Sequence, residues 1–75
     1  MSERKIKSII TFEDKPITLH YTWDGQVLNL DDVTGDEPHV HKVPDDWIEA
    51  ECHDVQNILI YGHPDISLFG IYPDT

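Results

Sequence analysis

Three groupings of residues in this chain are of types that can do chemistry. Asp31-Asp32 and Asp45-Asp46 are adjacent carboxylates of the kind that general acid/base catalysis uses. Cys52-His53 sets a thiol beside an imidazole, the partners of a thiolate nucleophile. His39-x-His41, with Cys52 and His63, offers nitrogen and sulfur ligands of the types zinc prefers. None of these comes with its usual company. No glycine-rich phosphate loop, serine-centred motif or cofactor fingerprint stands near the carboxylates. Residues 52 and 53 point to different sides of either a helix or a strand, and Glu49, Glu51 and Asp54 should raise a nearby thiol pKa rather than lower it. The paired spacings of zinc sites, C-x2-C or H-x3-H, are missing. The expectation is a non-enzymatic chain with no cofactor and no metal, in which the imidazoles are solvated and Cys52 is a small buried thiol.

What remains is charge. Of the fifteen acidic residues, nine lie between Asp31 and Asp54, a stretch whose sole Lys or Arg is Lys42. They are Asp31, Asp32, Asp36, Glu37, Asp45, Asp46, Glu49, Glu51 and Asp54. Charge at this density costs the folded state self-repulsion, and solubility is the simplest reason for it. A second reason is recognition: carboxylates in a row imitate the phosphates of nucleic acid, where duplex DNA carries one charge per about 1.7 Å of axis. A net charge of −10 repels nucleic acid and anionic membranes, and favours a basic protein partner. The four lysines make a salt-adapted surface the weaker explanation.

Length sets the scale of the elements that must position these groups. Seventy-five residues form a single small acidic domain, 1–75, with one thin core and little room for an enclosed substrate cavity. An apolar content of 39% with seven aromatics is enough to fold. One cysteine excludes an internal disulfide. No apolar run has membrane-spanning length, and Ser8, Thr11 and Glu13 interrupt any signal-type apolar region after the basic start. A reducing cytoplasm is the expected location.

Residues 5 to 33 alternate with period two and are broken at Glu13–Pro16 and at Asp24-Gly25. Asp24-Gly25 predicts a two-residue hairpin pairing Trp23 with Gln26, Tyr21 with Leu28 and Leu19 with Leu30. The earlier break predicts Phe12 with Ile17, Ile10 with Leu19 and Ile6 with Trp23. Both put the large apolar residues from Ile6 to Leu30 on one face of a meander. Lys5, Lys7, Thr18, His20, Thr22 and Asp31 fall on the other, with Ile9 its lone apolar member.

Residues 34 to 44 read as a loop, punctuated by Gly35, Pro38 and Pro44. Asp46-x-x-Glu49 then has capping-box spacing, and a helix over residues 46–55 would carry the stripe Ile48, Cys52 and Val55. A strand is the alternative, since Ile48, Ala50 and Cys52 also alternate with acids; the poor strand propensity of Ala and Glu favours the helix. Asn57–Tyr61 reads as a buried strand, Gly62–Asp65 as a turn, and Ile66–Tyr72 as a last strand. The predicted fold class is therefore α+β: an antiparallel β-sheet in the order β-β-β-α-β-β, with one helix packed on one face. Trp23 is expected in the core, while Trp47, set among acids, is placed equally well in the core or at an interface.

The functional expectation is an acidic protein-binding module. In its most concrete form it is a stoichiometric inhibitor or modulator that presents the nine carboxylates, with Trp47, to the basic site of a nucleic-acid-handling protein. The alternative is a structural accessory subunit of a larger assembly, recognised through the apolar strand edges Ile58–Tyr61 and Ile66–Tyr72. A metal-binding regulator comes third.

Overall fold

The computed structural model describes residues 3–62 and 70–74. Strands β1 (Arg4–Phe12), β2 (Lys15–Trp23) and β3 (Leu28–Gly35) form an antiparallel meander. A short 3-10 helix (His39–Lys42) and helix α1 (Asp45–Tyr61) follow, and β4 (Ile71–Pro73) returns antiparallel to β1. The sheet order is β3-β2-β1-β4. The class is α+β as predicted, but the element order is β-β-β-α-β. The turn residues His63–Asp65 and the first part of the predicted last strand, residues 66–69, lie outside the described residues.

The first hairpin keeps its predicted faces and slips by two residues; the second slips by two as far as Tyr21 and by three beyond a bulge between His20 and Tyr21. β1 and β2 turn on Glu13 and Asp14, both at positive φ (52° and 64°), which is type I′ geometry without glycine. The pairs are Ile6–Tyr21, Ser8–Leu19 and Ile10–Ile17. These replace Ile6–Trp23, Ile10–Leu19 and Phe12–Ile17. A two-residue slip preserves side-chain direction, so the apolar face of β1 and β2 survives it; Leu30, expected on that face, is instead 39% exposed on the edge strand β3.

The second hairpin is longer than a two-residue turn because the Asp24 side chain joins in. Its Oδ1 accepts the backbone N–H groups of Gln26 (2.8 Å) and Val27 (2.7 Å), and the loop runs from Asp24 to Val27 with Gly25 at φ 101°. Trp23 therefore pairs with Leu28, and Tyr21 with Leu30, in place of Tyr21–Leu28 and Leu19–Leu30. The register then shifts between His20 and Tyr21, leaving Asp31 as an extra residue. Beyond the bulge, Val33 rather than an acid lies opposite Leu19.

Helix α1 absorbs Asn57–Tyr61, where the sequence predicts a strand. The apolar stripe Ile48, Cys52 and Val55 continues at helical spacing through Ile58 and Leu59, and nothing breaks it before Gly62. Gly62 ends the helix in the left-handed conformation (φ 66°), its N–H donating to the Ile58 carbonyl at 3.1 Å. At the other end Pro44 is the capping residue and makes no side-chain cap bond. The Asp46–Glu49 spacing is thus not a capping box. Asp45 and Asp46 still favour the first turn by facing its positive dipole end.

The core sits between the sheet and α1. Ile6, Ile17, Leu19, Tyr21 and Trp23 supply the sheet side, Val55 the helix, and Val40 and Val43 close one end. Ser8 is the buried polar residue of β1 on this face. It is wholly buried, with its hydroxyl 2.9 Å from that of Tyr21. Lys5, His20 and Thr22 occupy the opposite, open face. There the Lys5 ammonium donates to the Thr22 hydroxyl at 2.7 Å.

Candidate functional site

The nine clustered carboxylates do not form one continuous row. The fold deals them to different surfaces. Asp31, at the bulge, accepts a hydrogen bond from Thr22 on the open sheet face and lies 3.5 Å from the Lys5 ammonium. The Thr22 hydroxyl, and then Lys5, hold its pKa below the ordinary aspartate range. Asp32 accepts the N–H of Val33 at 2.8 Å. In the loop, Asp36 lies 3.5 Å from Lys15, and Glu37 lies 3.7 Å from the His41 imidazole.

The other five carboxylates all belong to α1, which has no lysine or arginine. Among the described residues, none of Asp45, Asp46, Glu49, Glu51 and Asp54 makes an ion pair. The helical repeat divides them. Asp45, Asp46 and Glu49 are exposed at and beyond the first turn. Asp54 is exposed on the flank that also carries Trp47 and Glu51.

Trp47 is 47% exposed and stands edge-to-face on Phe12, with ring centroids 5.1 Å apart. It is neither fully core nor free. With Asp46, Ala50, Glu51 and Asp54 of the helix and Ile10 of β1, it lines a shallow groove of about 360 Å³. Glu51 and Asp54 are also walls of a second depression of about 340 Å³, completed by Val55, Asn57 and Ile58. Burial pushes the Glu51 pKa up, and the Asp54 charge adds to the rise while the Ser8 hydroxyl opposes it. Of the nine acids, Glu51 is the most tightly drawn into the helix–sheet boundary.

The thiol chemistry has no support here. Burial first, then the charges of Glu51 and Glu49, raise the Cys52 pKa, so the thiol stays protonated at neutral pH. Cys52 instead packs against the core. Among the described residues no three His, Cys, Asp or Glu side chains come together in a way that could hold a metal ion. His63 lies outside the described residues. The Nε2 of His39 is 2.9 Å from Glu13 Oε2 but is not aligned for a hydrogen bond.

Two features escaped the sequence reading. Ile10 and Ala50 complete the Trp47 groove, which only the packing of α1 on β1 creates. On the open face, His20 bridges Asp74 (Nδ1 to Oδ2, 2.7 Å) and Thr34 (Nε2 to Oγ1, 2.8 Å). These residues are up to 54 positions apart in sequence, and no local signal joins them. Their order, carboxylate to imidazole to hydroxyl, resembles a catalytic relay. None of the three residues lines either helix groove, and their arrangement ties β2 to β3 and to the end of β4. No helix among the described residues is long and apolar enough to cross a membrane. Comparison with known protein families, with curated proteins and with solved structures finds no match for this chain.

Proposed function

We propose that this chain is a non-enzymatic, acidic protein-binding module that offers helix α1 to the basic site of a nucleic-acid-handling protein. The observation that carries this reading is the charge of α1: five carboxylates, no lysine or arginine, and no ion pair to any of the five among the described residues. Outside α1, Asp31 and Asp36 face lysines (Lys5 and Lys15), whereas Asp14, Asp24 and Asp32 make no ion pair among the described residues; what sets α1 apart is that all five of its acids are without one. Carboxylates left without cations on one helix are free to meet the cations of another molecule. From Asp45 to Asp54 the helix rises about 13.5 Å, over which a single strand of B-form DNA would place about four phosphates. The five carboxylates fall in that rise as two groups on different sides of the helix, Asp45, Asp46 and Glu49 on one and Glu51 with Asp54 on the other, so a Lys/Arg cleft would meet one group at a time.

The test is an affinity pull-down at low and high salt, comparing the native chain with Asp45→Asn/Asp46→Asn/Glu49→Gln. Nucleic-acid-handling proteins should be recovered at low salt, wash off at high salt and be missing with the triple variant. Recovery that is salt-resistant and indifferent to the substitutions would instead favour the accessory-subunit reading. In that case Ile58–Tyr61 would act as the last turn of a helix rather than as a strand edge. Its exposed Ile60 and Tyr61 are the observation that favours this second reading.

A further inference from the structure

We propose that the groove between Trp47 and Ile10 receives an arginine side chain from an extended basic segment of the partner. This rests on the proposed function and specifies what its helix contacts. The groove floor is apolar and aromatic, from Ile10, Ala50 and Trp47, and its rim is Asp46, Glu51 and Asp54. Among the described residues no lysine or arginine lines it. An anionic occupant would meet three carboxylates. A purely apolar one would bury the Glu51 carboxylate further without giving it a counter-charge, at a desolvation cost.

A cation answers both surfaces at once. Guanidinium suits them better than ammonium because it is planar, more weakly hydrated, able to stack on an indole and able to fork onto a carboxylate.

The shape of the groove argues for an extended occupant. Glu51 and Asp54 also wall the second depression, so the two run on from one another along α1 from Asp46 to Ile58. That is a rise of about 18 Å, the span of five or six residues of extended chain at about 3.3 Å each. A backbone lying along this flank would bring one side chain to Trp47 and leave the next within reach of Asp54.

The experiment titrates the full 75-residue chain with fluorescently labelled hexa-arginine, hexa-lysine and hexa-citrulline, and reads anisotropy. Citrulline keeps the shape of arginine without its charge. Hexa-arginine should bind about threefold tighter than hexa-lysine, the size expected of a half-exposed cation–π contact, and hexa-citrulline should not bind. Trp47→Leu should abolish the arginine preference. Glu51→Gln/Asp54→Asn, which is near-isosteric and keeps the helix, should weaken hexa-arginine about tenfold. Asp45→Asn/Glu49→Gln, off the groove, should weaken both cationic peptides equally and by less.

Equal affinity for the two cationic peptides, or an arginine preference that survives Trp47→Leu, would overturn the groove. So would equal losses from the Glu51/Asp54 and Asp45/Glu49 variants; the acidic-helix reading would then stand without it. Failure of both cationic peptides to bind would remove the acidic-helix reading and the groove together.

Discussion

The hydroxyls of Ser8 and Tyr21 lie 2.9 Å apart, and neither residue is exposed to solvent. Each answers the polar atom the other brings into the core. Burial also drives the Tyr21 pKa far above the usual phenol range, so the hydroxyl stays neutral and able to donate. Ser8→Ala should cost about 1–3 kcal/mol by leaving the Tyr21 hydroxyl buried and unpaired. Tyr21→Phe should cost a comparable amount. The double variant should be distinctly less destabilised than the sum, read from urea unfolding midpoints. Additive losses would mean that the two hydroxyls do not depend on each other.

Gly35 closes β3 against Ile17. A Cβ at position 35 would lie 2.8 Å from Ile17 Cδ1 and 3.0 Å from the Pro16 carbonyl oxygen. Gly35→Ala should destabilise by about 1–3 kcal/mol through overpacking. Ile17→Val removes the clashing methyl and alone should cost about 0.5–1.5 kcal/mol. Combined with Gly35→Ala, it should restore part of the loss, leaving only the contact with the Pro16 oxygen. A double variant as unstable as the two losses combined would exclude the clash with the Ile17 methyl as the cause.

The pH dependence has limbs of opposite sign. Glu51 has a raised pKa, from burial and then from Asp54. Its protonated form therefore favours the folded state: the contribution is complete below the unfolded glutamate value and is lost as pH rises through the folded one. Asp24 is lowered by the Val27 and Gln26 N–H groups, and Asp31 by the Thr22 hydroxyl and then Lys5. Their contribution is complete above the unfolded aspartate value, about 3.9, and is lost as pH falls through the folded ones. Glu51→Gln should raise the thermal midpoint at pH 7, with the gain shrinking as pH falls through the raised folded-state pKa and native Glu51 becomes protonated. Asp24→Asn should flatten the acid limb instead. A Glu51→Gln gain that is constant from pH 7 to pH 4 would show that the carboxylate charge is not what burial penalises.

Steering should follow the unpaired acids. With the partner in hand, Asp45→Asn/Asp46→Asn/Glu49→Gln should slow association about tenfold at low ionic strength and flatten its salt dependence, leaving the unfolding midpoint near native. Neutralising Asp31 and Asp36, which already face Lys5 and Lys15, should change the on-rate less. The reverse ranking would move the contact surface from the helix to the sheet and loop.

The faces of the sheet are legible in the sequence because alternation fixes side-chain direction and survives an even slip. The registers are not, since both depend on how particular turn residues behave. Glu13 adopts a positive φ that its residue type does not advertise, and Asp24 spends its side chain on Gln26 and Val27 instead of sitting in a tight turn. Asn57–Tyr61 reads as a strand for its β-branched content, yet Ile58 and Leu59 extend the stripe of Ile48, Cys52 and Val55. That spacing is present in the sequence and is the better signal. For the acids, concentration is visible in the sequence but dispersal is not. A bulge, a loop and a helix lie between Asp31 and Asp54, and only the packing of α1 on β1 sets Trp47, Glu51 and Asp54 around Ile10.

Asp31, the residue of β3 without a ladder partner on β2, makes β3 the place where this fold can change length. Deleting Asp31 would join the Tyr21–Leu30 and His20–Asp32 pairs into a regular ladder, with Leu28 and Val33 keeping their places against the core. Deleting Asn29 would close the same bulge but set Asp31 opposite Tyr21, on the apolar face. A one-residue deletion is therefore tolerated or ruinous according to which of two nearby positions it removes. Sequences of this fold that differ in length by one residue within β3 should carry the difference at the bulge.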